Sequence, residues 1–236
     1  STSTPGVAAK FETGNVQDPV FFDTPTELFT ARDPRLGGTV LYPGSFFNGM
    51  ETELQGGQLN KENGAWTIKT STRGTQDSDG NVITAISGPY EPRDDRQCNR
   101  TGFYIRKFLD TTPSAGTIGR GSEMSSPYFR LAEAYLIAAE ASFELKGSTT
   151  ESLGYINAIR ERAGVQPLTA LTFENIVHEN QVEFAFEGHR WWDLKRWRLA
   201  DKIWNGDSNN PSAQRRGLWP YLVVDKGDAN HGKWVF

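Results

Sequence analysis

Residues 173–198 read FENIVHENQVEFAFEGHRWWDLKRWR and hold three of the seven Trp and two of the three His. Glu179, Glu183 and Glu187 recur every four residues, so a helix here places them on one acidic ridge. Arg190, Asp193 and Arg196 follow at three-residue steps, and Glu187 lies three before Arg190. That spacing predicts a ladder of alternating charge along one side of the segment. Phe173, Val177, Phe184, Trp191 and Leu194 fall near a second stripe suited to burial. Gly188 interrupts the helical pattern and marks a bend or break.

This segment admits two chemical readings. In one, the carboxylates form a catalytic cluster with His189. In the other, they are structural and pair with the arginines. The second is the more economical, because ion-pair networks on helices are common and catalyse nothing. His178-Glu179 suggests a zinc-protease motif, which requires a second His four residues after the first. Position 182 is Val182, so that reading fails.

Upstream, Ser126-Pro127 is a helix start, since Ser caps and Pro suits the first turn. The predicted helix runs to about Leu145 and stops at Gly147. Its expected inner face is Leu131, Tyr135, Ala138, Ser142 and Leu145. Ala134, Ala138, Ala139 and Ala141 let a second helix approach closely. That second helix spans Glu151 to Ala163, with Leu153, Ile156, Ile159 and Ala163 inward and Gly164 at its end. The short loop between them makes the pair antiparallel. Thr172 caps the third helix, and Asp201 to Trp204 adds one more turn.

The bulk composition sets wider bounds. The chain has 236 residues, 36% hydrophobic and 23% charged, enough for one substantial domain or a domain with a smaller lobe. The net charge of −4 argues against a nucleic-acid partner held by its phosphates. No apolar run is long enough to span a bilayer. The lone Cys98 excludes an intrachain disulfide and a cysteine-rich metal site. With 24 Gly and 12 Pro, much of the chain is turn and loop. The start, STSTPGVAAKF, lacks the charged-then-apolar pattern of a secretory signal. No glycine motif for a dinucleotide or nucleotide follows a strand, so no cofactor is expected.

The first half is irregular. Val20-Phe21-Phe22 reads as a short strand or buried anchor, Thr26 to Arg32 as one short helix, and Thr39 to Tyr42 as a short strand. Trp66 sits in NGAWTI (63–68), beside a turn and at the start of a strand. Phe46, Phe47 and Tyr90 lie in the same loop-rich part. An exposed aromatic ring on a loop stacks on the C–H face of a sugar, while polar neighbours bond its hydroxyl rim. The alternative for Trp66 is packing on the core beneath its loop. TQDSDGN (75–81) lacks the glycine and glutamate positions of a calcium loop. Asp79-Gly80 reads instead as the turn of a hairpin pairing Thr67–Thr72 with Val82–Ile86. Residues 89–106 mix acids and bases, and 110–124 are a polar connection. NGDSNNPSAQRRG (205–217) is a loop, after which Trp219, Tyr221 and Trp234 return the chain to the body by packing.

EFAFEGHRWWDLKRWR (183–198), YFRLAEAYLIAAEA (128–141), YINAIRERAG (155–164) and DPRLGGTVLYPGS (33–45) together resemble the signature segments of SusD/RagB-type outer-membrane nutrient-binding lipoproteins. They stand in that family's order across residues 33–204. The resemblance implies a mainly α fold: a tetratricopeptide-like helical scaffold with a large irregular loop region and short β-hairpins. Residues 1–124 are then the loop-rich, ligand-facing part, 125–204 the helical scaffold and 205–236 a packing tail. One helical hairpin alone makes no stable solenoid. Against the family this chain looks like the C-terminal part of a longer protein, without the helical N-terminal half, signal and lipid-modified Cys.

By the same resemblance, the function is non-catalytic capture of an oligosaccharide, or sometimes a peptide, at the surface of the outer membrane. The partner is a SusC-type TonB-dependent porin, and membrane attachment runs only through a lipid anchor absent from this chain. Trp66, Tyr90, Phe46 and Phe47 are the candidate stacking residues, with no catalytic residue and no metal. Arg35, in the DPR segment, is expected as a buried ion-pair partner. The rivals are a glycoside hydrolase, which needs two carboxylates facing across a cleft, and a porin-contacting domain without its own ligand site.

Overall fold

The computed structural model describes residues 10–12, 15–17, 19–88, 101–115, 120–206 and 217–236. The chain is mainly α, with six helices and short strands among these residues. They form two compact units. The helical unit takes Arg32–Thr39 and the described residues of 105–206. The sheet unit takes the described residues up to Ala31, Val40–Tyr104 and the described residues from 217 onward.

The helical unit holds α1 Arg35–Thr39, α2 Leu131–Lys146, α3 Thr150–Arg162, α4 Phe173–Glu183, α5 His189–Arg196 and α6 Ala200–Trp204. Capping is strong where the sequence supplies it. Thr149 with Ser152 and Thr172 with Asn175 form reciprocal capping boxes at the starts of α3 and α4. Gly147 ends α2 at φ 74°, as its position predicts. Gly188, at φ 81°, separates α4 from α5 where the bend is expected. The core joins Ala132, Leu136 and Ala139 of α2 to Ile156 and Ile159 of α3, and to Leu171, Ile176 and Phe184 around α4. Each fully buried Leu or Ile contributes about 1.5–3 kcal/mol.

Three expectations are corrected in this unit. First, α2 begins at Leu131 rather than at Ser126-Pro127, and Arg130 before it is extended. The Arg130 guanidinium is bonded to Glu183 and Glu187, and that tertiary demand overrides the local cap. Second, the inner face of α2 differs from the expected one at its ends and middle, although Ser142 is buried and Tyr135 packs on the core as expected. Leu131 and Leu145 are 72% and 78% exposed, while Ala132, Leu136 and Ala139 are buried. This helix is apolar on both sides, since Leu131, Ala134, Ala138, Ala141 and Leu145 also recur at three- and four-residue steps; periodicity alone cannot choose between them. Third, the buried side of α4 is Ile176, Glu179, Asn180 and Glu183. The acidic ridge therefore lies inside. Phe184 and Leu194 are buried as expected, whereas Trp191 is half-exposed and stacks on Trp204 at 5.1 Å.

The sheet unit holds β1 Lys10–Glu12, β2 Asn15–Gln17, β3 Val40–Leu41, β4 Phe46–Phe47, β5 Met50–Glu51, β6 Gly57–Glu62, β7 Ala65–Lys69, β9 Tyr221–Val223 and β10 Trp234–Val235; β8, Tyr104–Ile105, lies where the chain passes between units. Its main sheet has the order β1-β2-β7-β6-β9-β10. Every pair in it is antiparallel except β6 with β9. Asn63 (φ 52°) and Gly64 (φ 81°) close the β6–β7 hairpin, the left-handed pair that a two-residue turn demands. Leu59, Val223 and Val235 are fully buried beneath it. Gly57 is required where three strands crowd: a Cβ there would lie 2.6 Å from the Lys69 carbonyl and 3.2 Å from the Tyr221 ring.

The expected hairpin around Asp79-Gly80 forms with shorter arms than Thr67–Thr72 and Val82–Ile86: Gln76 bridges Val82, and backbone hydrogen bonds join Gly74 to Thr84, Thr75 to Ile83 and Asp77 to Asn81. Thr67 already pairs with Asn60 across the stronger Asn63-Gly64 turn. Asp77 organises a closed loop, accepting bonds from the Asp79 and Asn81 amides and from Gln58. Phe22 bridges to Trp234, so the early Phe pair is an anchor. Phe29 packs on Tyr42, Phe103 and Phe236 at ring distances of 4.6, 5.8 and 5.7 Å.

Candidate functional site

The ridge acids sit in a dense ionic hub within the helical unit. Arg35 reaches Glu179 at 2.6 Å, Glu183 at 3.0 Å and Asp33 at 2.7 Å. Arg160 holds the other Glu179 oxygen at 2.8 Å, and Arg162 holds Glu183 at 2.5 Å. Arg130 bonds Glu183 and grips both oxygens of Glu187, at 2.7 and 2.8 Å, where Lys107 joins at 2.5 Å. The Arg130 guanidinium also lies over the Phe184 ring, which stacks on His189 at 4.3 Å. Arg35 is thus the buried ion-pair partner that the sequence suggests.

These contacts govern protonation. Burial pushes the Glu183 pKa up, but bonds from Arg130, Arg35 and Arg162 outweigh it and hold the carboxyl below the usual range. Glu187 behaves alike: burial raises it, and Arg130 and Lys107 bring it lower. A cavity of about 330 Å³ opens beside the hub, lined in part by Arg35, Lys107, Arg130, Arg162, Glu183 and Glu187. Glu183 and Glu187, held ionised by several cations, are poor proton donors.

The predicted ladder from Glu187 to Arg190 does not form. Glu187 is taken by Arg130 and Lys107, and Arg196 bonds Asp193 at 3.0 Å and Glu140 at 2.7 Å. Trp197 donates its indole N–H to the same Glu140 at 2.7 Å. Arg190 Nη1 is buried without a hydrogen-bond partner among the described residues, and desolvation lowers its pKa against the pull of Asp193. Local spacing finds neighbours on one helix and misses partners 50 or more residues away.

Three of the aromatic candidates, Phe46, Phe47 and Trp66, lie in the sheet unit. Trp66 is half-buried on β7, packed on Phe21 at 5.7 Å with Lys61 Nζ 5.0 Å from its ring. It also leans on the Leu59–Val223–Val235 cluster. Phe46 and Phe47 lie on a separate two-stranded hairpin, β4–β5, whose turn places Asn48 and Gly49 at φ 52° and 80°. Phe46 is 64% exposed, opposite Glu51, and Phe47 is half-buried, opposite Met50. Tyr90 lies outside the described residues. The structure thus joins Phe46 and Phe47 on one hairpin and sets Trp66 on another sheet.

From the end of β5 onward, residues 51–55 form one wall of a second cavity, of about 160 Å³, within the sheet unit. Glu51, Glu53 and Trp234 line it, and sequence reading singled out none of the three as ligand contacts. The available signal was FFNGMETEL (46–54), where an Asn-Gly turn precedes alternating acids. Among the described residues, no group of three or more His, Cys, Asp or Glu is arranged to hold a metal ion. No helix among them is long and apolar enough to cross a membrane.

Comparison with known proteins agrees with this architecture. A profile of the SusD family matches residues 14–234. SusD-like protein P2 of Formosa agariphila is 32% identical over 146 residues, covering 57% of this chain and 28% of that protein. The starch-binding protein SusD of Bacteroides thetaiotaomicron is 43% identical over 107 residues, covering 42% of this chain and 19% of that protein. A crystal structure of a SusD-like carbohydrate-binding protein from Bacteroides fragilis superposes with a TM-score of 0.52 at 26% identity, covering 89% of this chain and 37% of that one. The chain spans 28% or less of the length of these two curated relatives. With its DPR-segment arginine clamped onto a buried acidic ridge, and with a family match across nearly its whole length, the chain belongs to the SusD family.

Proposed function

We propose that this chain is part of a non-catalytic glycan-binding protein, serving a SusC/SusD-type nutrient uptake system at the outer-membrane surface. Ligand is held by the sheet unit, with Phe46 as the exposed stacking ring and Phe47, Trp66 and Tyr90 as the other aromatic candidates. The helical unit is framework. A SusC-type porin receives the captured oligosaccharide, and no bond is broken on the way. Two relatives whose names record starch and carbohydrate binding support the ligand class.

The observation that carries the reading is a contrast in exposure. Phe46 presents a phenyl ring to solvent on a tight hairpin, while every ridge carboxylate is neutralised by at least two cations. The first suits stacking on a sugar face; the second removes the acids that a hydrolase would need. A glycan array run beside a hydrolysis assay tests this. Binding without turnover is expected, and reducing-end release from any bound glycan would overturn it.

A further inference from the structure

The cavity of about 160 Å³ beside the β4–β5 hairpin has an unusual polar inventory. Pro25, Pro43, Leu54 and Trp234 give it apolar walls, and Glu51 and Glu53 give it acid. Among the described residues, no Lys, Arg or His lines it. Among the described residues, neither Glu51 nor Glu53 has an ion pair or side-chain hydrogen bond, and the Trp234 indole N–H has no partner. Two acceptors and one donor are therefore unspent, beside walls that favour C–H groups. The volume equals about five water molecules, the scale of one pyranose ring.

The cavity is continuous in sequence with the exposed aromatic. Gly44 lines it and leads into β4, and Glu51 pairs with Phe46 in the hairpin. Glu51 Oε1 lies 3.6 Å from where a Cβ on Gly44 would stand. The same Cβ would meet Thr26 Cγ2 at 2.6 Å and Pro25 at 3.1 Å, so this wall is tightly packed. Glu51 ends β5 and Glu53 follows two residues on, so both acids come from one short stretch of chain. They cannot face each other across a sugar as a hydrolytic pair must.

We propose that this cavity is a subsite for one uncharged sugar residue of the bound glycan. Glu51 and Glu53 accept hydrogen bonds from its hydroxyls, and their two negative charges, with no cation among the described residues lining the cavity, exclude uronic and sulfated sugars. Selection rests on repulsion as well as attraction. This inference depends on the glycan-binding reading above and adds its charge class.

The test uses the 236-residue chain and matched soluble oligosaccharides: maltoheptaose, cellohexaose and laminarihexaose as neutral probes, with oligogalacturonate and carrageenan oligosaccharides as acidic ones. Isothermal titration of the wild type should give neutral ligands only. The doubly substituted Glu51→Gln, Glu53→Gln chain should fold unchanged, because both side chains are exposed and unpaired. It should lose tenfold or more in affinity for the neutral ligand, and its acidic-to-neutral affinity ratio should rise. A wild type that prefers acidic probes overturns the proposal, and so does a double variant with unaltered affinity and ratio. Absence of binding to any probe, neutral or acidic, removes the glycan reading itself and this subsite with it.

Discussion

Glutamates do opposite things in the two units. In the helical unit Glu179, Glu183 and Glu187 are buried and saturated by Arg35, Lys107, Arg130, Arg160 and Arg162. In the sheet unit Glu51 and Glu53 are exposed and have no ion pair among the described residues. Removing a carboxylate from water costs several kcal/mol unless cations and hydrogen bonds replace the hydration. Five cations meet that cost in the hub, so its acids serve to fix geometry. The acids at the second cavity keep their hydration, which a sugar hydroxyl can replace. Neither the residue type nor its spacing separates these roles; the number of cations brought in from elsewhere in the chain does.

Breaking the hub should give the largest effect. Arg130→Met leaves Glu183 and Glu187 short of a buried cation and should destabilise the helical unit by about 3–5 kcal/mol, read from denaturant unfolding by far-UV circular dichroism. Acid should loosen the same unit without mutation. The Glu183 and Glu187 carboxyls lie below their unfolded value of about 4.3, so their contribution is complete above it and is lost as pH falls through the lowered values. Helical signal should fall below about pH 4, and Arg130→Met should blunt that dependence.

In the sheet unit, Trp66→Ala removes a half-buried ring from the Leu59 cluster and should cost about 2 kcal/mol. A glycan affinity lost with no change in melting temperature would instead make Trp66 a ligand contact. Arg190→Leu sharpens the contrast from the other side. It removes a buried guanidinium nitrogen that has no hydrogen bond among the described residues, so thermal stability should hold or rise by up to about 1 kcal/mol. Phe46→Ala should leave the melting temperature unchanged and weaken glycan binding, measured by titration with the best array ligand.

What could be read from the sequence was mostly local. Gly147, Gly164 and Thr172 mark helix ends by backbone chemistry that acts within a few residues, and the structure places ends there. The partner of Arg35 is a ridge 144 residues away, yet its DPR setting marked it as buried. Arg130 gave no such sign, and its clamp moved the start of α2. The phase of α2 was hidden because both of its sides are apolar. The parallel pairing of β6 with β9 brings the C-terminal tail into the sheet, and no turn signal announces a pairing across 164 residues. At the candidate site, Phe46 and Phe47 were legible as aromatics on a loop. Glu51, Glu53 and Trp234 were not, because only folding places them around one cavity.

The seven indoles report on both units at once. Nitrogen–proton correlation spectra of the ¹⁵N-labelled chain, titrated with its best glycan and assigned by single Trp→Phe variants, test directly whether the hub is framework and the sheet unit holds the ligand. The Trp234 indole resonance should move with saturation, while those of Trp191, Trp192 and the Glu140-bound Trp197 stay in place. Movement confined to the helical-unit indoles, with Trp234 still, would contradict the account.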